Sequence, residues 1–243
     1  MTALSVNLNK IALLRNSRGR DYPNVVAYAR KLIEMGVAGI TVHPRQDERH
    51  ITRVDTLELS KLLRETPRVE FNVEGYPSEQ FLQLIEQCRP DQCTLVPDTV
   101  SQLTSDHGWS VDQEMQVLGP ALQRLHSVNC RAALFLDPDC DQVEHAAESG
   151  YDRIELYTEH FATCFGGDQQ DAVLDRYRRA KDKAVSLGLG VNAGHDLDLN
   201  NLATFLSIGN ILEVSIGHAL TVESIDQGLA QVVAKYLVIC AKG

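Results

Sequence analysis

The 243-residue chain contains no run of about 18 apolar residues, and its first residues hold no apolar core of the kind a secretion signal carries. Neither a membrane span nor export is therefore expected. The six cysteines, Cys88, Cys93, Cys130, Cys140, Cys164 and Cys240, include no CxxC pair and no zinc-ligand spacing. Several sit inside apolar runs, so buried thiols in a reducing, cytoplasmic setting are expected rather than disulfides. Positive charge is also short: 23 Lys and Arg stand against 33 Asp and Glu, a net charge of −10. Such a chain repels nucleic acid and anionic membrane, which excludes both as expected partners. Small phosphorylated ligands stay open, because a phosphate site needs only a few local donors. No low-complexity linker divides the sequence, so one domain over 1–243 is expected.

What is present is a repeat. Short runs rich in Val, Ile or Leu recur at 4–9, 39–44, 70–75, 92–97, 131–137, 153–158, 188–194 and 211–217. Each has the length and composition of a parallel strand covered on both faces. Between them lie helical stretches at 22–35, 55–64, 77–88, 111–127, 141–149, 168–186, 199–208 and 221–241. The first shows the pattern well: Val25, Val26, Ala29, Leu32 and Ile33 recur at helical spacing, and Gly36 stops the run. Pro77 and Asp141 mark helix starts. No GxGxxG follows the first strand, which argues against an open dinucleotide-binding sheet. A closed α/β barrel of the TIM type, (β/α)8, fits both the count and the length, since such barrels run to about 250 residues.

Catalysis in such barrels sits at the carboxyl ends of the strands. Read in order, those ends hold Asn7-Leu8-Asn9-Lys10, His43-Pro44-Arg45, Glu74-Gly75, Pro97-Asp98, Asp137, Thr158-Glu159 with Glu155 inside the strand, Gly194-His195 and Gly217-His218. A lone histidine on a rim is more often a surface or hydrogen-bonded residue. His43, Glu74, His195 and His218 at equivalent strand ends point instead to general acid–base chemistry. Gly194 and Gly217 close strands seven and eight, where barrels bind phosphate through backbone N–H groups; simple turn chemistry is the alternative. Arg15, Arg18 and Arg20 in the first loop, with Arg45, Arg49 and His50 after strand two, offer further phosphate donors or a solvated charged face. The loop 98–110 is long and carries the only tryptophan, Trp109. It serves either as a lid that excludes water or as a loop that Trp109 packs onto the barrel.

Taken together, these stretches resemble the pyridoxine 5′-phosphate synthase family of vitamin B6 biosynthesis over nearly the whole chain. The resemblance rests on Val6-Asn7 through Arg15-Asn16-Ser17-Arg18, on Gly39 to Arg45 with Arg49-His50-Ile51, and on Phe71-Asn72-Val73-Glu74-Gly75. Leu95-Val96-Pro97 with Thr104 to Trp109, Ile154 to Thr158, Gly190 to His195 and Ser215 to Ala219 complete it. It implies condensation of 1-deoxy-D-xylulose 5-phosphate with 3-amino-2-oxopropyl phosphate, without metal or organic cofactor. By the same resemblance His43 and Glu74 act as bases or acids, His195 as a proton donor, and Glu155 beside a cationic intermediate. Gly194, Gly217 and His218, with Asn7 and Arg18, would hold the aminoketone phosphate. Arg45, His50 and Thr104 would hold the xylulose phosphate, with Asn9 and Lys10 as further substrate contacts. The resemblance also implies a homo-oligomer, dimers assembling into an octamer, with Arg18 reaching across an interface.

This chain departs from the family in two places. Asn9-Lys10 stands where Asp-His is usual, so an amide and an ammonium replace a carboxylate and an imidazole. After strand eight, Leu220 to Glu223 lacks the Gly-Arg of some members, and phosphate binding there is expected to rest on backbone donors. Two rivals share the barrel. Another sugar-phosphate barrel enzyme would lean on a metal and lose activity to a chelator. A non-catalytic barrel binding a phosphorylated ligand is favoured only by Asn9-Lys10, and four titratable groups on one rim count against it.

Overall fold

The computed structural model describes residues 1–98 and 105–243, so Thr104 and the early part of the 98–110 loop lie outside the described residues. Eight parallel strands, β1 (Ala3–Asn7), β2 (Gly39–Val42), β3 (Glu70–Gly75), β4 (Gln92–Leu95), β5 (Arg131–Leu136), β6 (Arg153–Tyr157), β7 (Gly190–Gly194) and β8 (Glu213–Ile216), close into a barrel. Each strand pairs with its neighbours in chain order, and β8 returns to β1 with Ser215 opposite Ser5.

Side chains alternate along every strand. One set, including Leu4, Val6, Ile40, Phe71, Leu134 and Val214, is apolar and buried in the main core. The other set is largely polar: Ser5, Thr41, Asn72, Thr94, Glu155 and Asn192. Members of that set bond across strands that are not neighbours. Thr94 of β4 donates to Glu155 of β6 at 3.3 Å, and Asn192 of β7 donates to Gln92 of β4 at 3.3 Å. Such contacts cross the inside of the barrel, so the polar set faces inward and the apolar set packs outward. The sequence reading expects strands covered on both faces, and both sets of strand side chains are buried. The barrel interior is polar, and a chain of hydrogen bonds runs through it from Ser5 by way of Thr41, Asn72 and Thr94 to Glu155, while Gln92 Nε2 is buried with no partner among the described residues.

Among the described residues there are eleven helices rather than the expected eight: α1 (Asn9–Asn16), α2 (Val25–Glu34), α3 (Arg53–Arg64), α4 (Glu79–Cys88), α5 (Val111–Ser127), α6 (Cys140–Glu148), α7 (Glu159–Cys164), α8 (Gln170–Ser186), α9 (Leu202–Leu206), α10 (His218–Gln227) and α11 (Leu229–Cys240). The expected helix 221–241 is two helices, broken where Gly228 takes a φ of +86°. Local capping moves the starts. Thr52 and Asp55 form a reciprocal capping box, so α3 begins before Asp55. Ser78 caps α4 and Asp139 caps α6, so helices begin beside Pro77 and Asp141 as the sequence reading expects. The largest correction concerns the first strand. It ends at Asn7, and Asn9 and Lys10 open α1 instead of ending β1, with Ile11 and Ala12 buried beneath them. All six cysteines are free thiols, and no helix among the described residues is long and apolar enough to cross a membrane.

Candidate active site

The carboxyl ends of β1, β2, β3 and β4 meet around His43. Its ring lies between two buried carboxyl groups: Nδ1 is 3.9 Å from Glu74 Oε2 and Nε2 is 3.8 Å from Asp98 Oδ2. Burial, then the positive fields of His50 and Arg45, push the His43 pKa well below the ordinary imidazole value. His43 is thus neutral at physiological pH. Burial first, then the negative charges of Glu155, Asp98 and Glu213, push Glu74 well above the ordinary carboxyl value. An imidazole pushed down beside a carboxyl group pushed up is a pair that can both take and give a proton.

Two contacts aim this pair. Asn7 donates from Nδ2 to Glu74 at 3.3 Å, and its Oδ1 accepts from the Asn9 backbone at 2.9 Å. Asn9 Oδ1 in turn accepts from the His43 backbone N–H at 2.9 Å. The Asn9 amide oxygen therefore ties the first loop to the second strand's end, and only its NH2 remains as a substrate donor. Arg45 is buried and meets Asp98 at 2.7 Å. The other Asp98 oxygen, Oδ1, is buried with no hydrogen-bond partner among the described residues. Asp98 stands at the end of strand four in the sequence reading but receives no role there. Its place in line with the other strand ends is the signal that marks it.

Glu155 lies deeper, inside the barrel. Burial and then the neighbouring Glu213 raise its pKa to about 8, against a hydrogen bond from Thr94. A Cβ at position 194 would stand 2.2 Å from Glu155 Oε1. Glycine is needed at 194 because the Glu155 carboxyl group occupies the space, a reason absent from the phosphate argument. At 217 a Cβ would come within 3.0 Å of the Asn7 side chain. Gly217 also precedes α10, whose first-turn N–H groups have no intrahelical acceptor.

Beside Gly194, His195 and Asp196 both adopt left-handed backbone, with φ of +77° and +57°. Each such residue costs about 1–3 kcal/mol, and this kind of strain gathers at functional sites. The His195 ring sits against Phe135 and Tyr157, with centroids 5.6 and 5.2 Å away. Its Nδ1 lies 3.8 Å from Asp196 Oδ2, and this imidazole holds the Asp196 carboxyl below its usual range.

The remaining residues divide into those near the rim and those away from it. His50 stands 6.2 Å from His43 between ring centroids. Burial and the nearby Arg45 lower its pKa to about 4. Its Nδ1 accepts from the Ile51 N–H at 2.9 Å, which leaves the ring proton on Nε2 as a donor. Lys10 is half-buried, and its charge acts on both His50 and Asp196, which places it toward the mouth between them. His218 is exposed at the start of α10. Arg18 is exposed beyond α1 and forms no ion pair among the described residues, so the fold of one chain does not bring it to His43. Arg15 and Arg49 are engaged by Asp55 and Asp47, which removes them from the phosphate donors considered above. Glu223 points away from any anion: it accepts from the Leu199 N–H and from the Tyr236 hydroxyl. Trp109 is buried, donates to the Leu95 carbonyl at 2.8 Å and stacks on Tyr76, so it packs the end of its loop onto the barrel. Thr104 lies outside the described residues. No group of three or more His, Cys, Asp or Glu among the described residues is arranged to hold a metal ion.

A closed parallel barrel with buried acid–base groups and cationic donors on its carboxyl rim defines a barrel enzyme that moves protons on a small anionic substrate. The fold alone is shared widely. The chain superposes on 3-hexulose-6-phosphate synthase from Salmonella typhimurium with a TM-score of 0.66 at 13% identity, covering 99% of each chain. It also matches phosphoribosyl anthranilate isomerase from Thermotoga maritima at 0.63 and 11%, covering all of both chains. Sequence separates it from these. Residues 4–242 match the family described as Pyridoxal phosphate biosynthesis protein PdxJ, and the chain belongs to that family. It is 47% identical over 237 residues to the pyridoxine 5′-phosphate synthase of Bacteroides thetaiotaomicron, covering 97% of this chain and 98% of that protein. With the same enzyme from Chelativorans sp. it shares 45% over 242 residues, 98% of each.

Proposed function

We propose that the protein is a pyridoxine 5′-phosphate synthase that joins 1-deoxy-D-xylulose 5-phosphate to 3-amino-2-oxopropyl phosphate, releasing phosphate and water. The observation that carries the reading is the set of buried titratable groups on one rim, His43, Glu74 and Glu155, in a chain of this family. The reaction adds an amine to a ketone, expels water and phosphate, and closes a ring, so protons must move repeatedly. Neutral His43 is the resting base. Glu74, whose pKa burial raises, supplies a proton to a departing hydroxyl and, once ionised, takes one back. His195 donates to a leaving oxygen. Glu155 costs much to ionise until a cation arrives, so its charge forms together with an iminium on the substrate and is largest where it stabilises the reaction.

Phosphate recognition follows the same rim. The N-terminus of α10, with Gly194, Gly217, His218 and Asn7, suits the aminoketone phosphate. Arg45 and the Nε2–H of His50, with Thr104, Asn9 and Lys10, suit the xylulose phosphate. Metal-free incubation of the purified protein with both substrates is expected to yield pyridoxine 5′-phosphate and inorganic phosphate in equal amounts. Folded protein that forms neither would leave a phosphate-binding barrel without this chemistry.

The active form is a homo-oligomer built on α1 and α10. These helices adjoin, and both expose apolar residues: Leu13 and Leu14 on one, Val222 and Ile225 on the other. A neighbouring groove of about 420 Å³ is lined by Arg15, Arg20 and Val54, among others. Burying this face in a dimer would bring the exposed Arg18 toward a second rim. Light scattering should show a dimer or larger assembly, and Leu14→Asp with Ile225→Asp should yield monomers; a monomeric parent protein rules the arrangement out.

A further inference from the structure

We infer that Thr158 is a positioning residue for His195, holding it in its left-handed conformation through the Thr158 hydroxyl. The inference rests on the reading of His195 as a proton donor. Two consecutive non-glycine residues, His195 and Asp196, stand at φ +77° and +57°. Asp and His tolerate this region better than most residues, but singly; two in a row are held by neighbouring structure. The backbone immediately before and at the turn is gripped from one point. Thr158 Oγ1 donates between the carbonyl of Gly194, at 2.8 Å, and that of His195. The Thr158 backbone N–H also donates to the Gly194 carbonyl, at 3.1 Å. Thr158 is fully buried, where an unmade hydrogen bond cannot be replaced by water.

The residues that follow β6 and β7 thus form one unit. Thr158, directly after β6, sets the carbonyls at the end of β7. That setting delivers the His195 ring against the pair formed by Phe135 of β5 and Tyr157 of β6. The two aromatic rings pack against each other at 5.2 Å and present one fixed surface to the imidazole. Without the hydroxyl the two carbonyls lose their common donor, the turn relaxes toward ordinary backbone, and the imidazole leaves that surface. Thr158 itself touches no reacting atom in this scheme; it acts through His195.

The test compares Thr158→Val, Thr158→Ala and Thr158→Ser in the full-length protein. Val keeps the shape and removes the hydroxyl, and Ser keeps the hydroxyl and removes the methyl. Turnover is read beside the His195 ring resonance in histidine-labelled protein, assigned by its loss in His195→Asn. In the parent protein that resonance should be displaced by the ring currents of Phe135 and Tyr157, which lie 5.6 and 5.2 Å away. Val and Ala should lower kcat by about a hundredfold with KM changed by less than about threefold, as expected for misplacement of an already bound group. Their His195 resonance should move to the position of an unpacked histidine. Ser should retain kcat within about threefold of the parent and keep the displaced resonance.

The inference is overturned if folded Val or Ala leaves the resonance unmoved or kcat near the parent value. It is equally overturned if Ser loses as much as Val, since the methyl group would then be what matters. If Val does not fold, the Ala–Ser pair carries the same comparison. If the parent protein forms no product, the functional reading fails by itself, while the resonances still decide whether Thr158 seats the ring.

Discussion

Glu155→Gln is expected to give a protein that melts higher than its parent at pH 8 and turns over far more slowly. Glu155 is buried inside the barrel, and its pKa of about 8 stands above the ordinary 4.5 of an exposed carboxyl group. Between those two values the folded protein keeps a proton that the unfolded chain has released. Stability therefore falls as pH rises through that window, and stops falling above the folded value. The raised pKa corresponds to a destabilisation on the order of a few kcal/mol at pH 8, or several degrees in Tm. Glutamine removes the ionisation in both states. Its amide oxygen can still accept from Thr94, which now lies 3.3 Å from Oε2. Melting curves at pH 5 and pH 8 should show little difference between parent and variant at the lower pH and a higher Tm for the variant at the upper. Turnover should fall by about a hundredfold or more, the scale set by removing one preorganised electrostatic contact. A parent Tm that does not decline relative to the variant between the two pH values would refute the buried-acid account. The gain in stability alongside the loss in rate is the expected mark of a group retained for chemistry.

His43→Ala and Glu74→Gln are expected to fold normally and each to lose at least about a hundredfold in rate. Folding should survive because the contacts that shape the rim are kept. Asn9 binds the backbone N–H of His43 rather than its ring, and Asn7 can donate to a glutamine oxygen as it does to Glu74. What is lost is the neutral base in one case and the acid in the other. Circular dichroism should match the parent in both variants. Near-normal turnover in either, from folded protein, would break the acid–base assignment.

The rim positions were legible because strand ends in a parallel barrel share one side, so residues far apart in sequence can be gathered by counting strands. His43, Glu74, Gly194, His195 and Gly217 stand at such ends. The cover on both faces is legible in the same runs. The alternation Leu-Ser-Val-Asn or Val-Asn-Ala-Gly does not by itself say which set faces the barrel interior; here the apolar set packs outward in the main core and the polar set faces inward. The start of α1 is not legible, so that Asn9-Lys10 passes for a strand end and Arg15 for part of a loop, because no capping signal marks it: Leu8 occupies the N-cap, and no side chain caps the helix.

By itself the sequence determined the strand–helix repeat, the closed barrel and the acidic character of the chain. Each is set by local pattern or by composition, which do not change when the chain folds. Only the tertiary structure decided the partners and protonation of the site. Glu74 and Glu155 are pushed above the ordinary carboxyl range because barrel closure removes them from water and sets them near other carboxyl groups. Arg15 is taken by Asp55, Asn9 by the His43 backbone, and His195 is turned left-handed above Thr158. Desolvation, charge proximity and backbone strain all depend on distances across the barrel, and those distances exist only once it has closed.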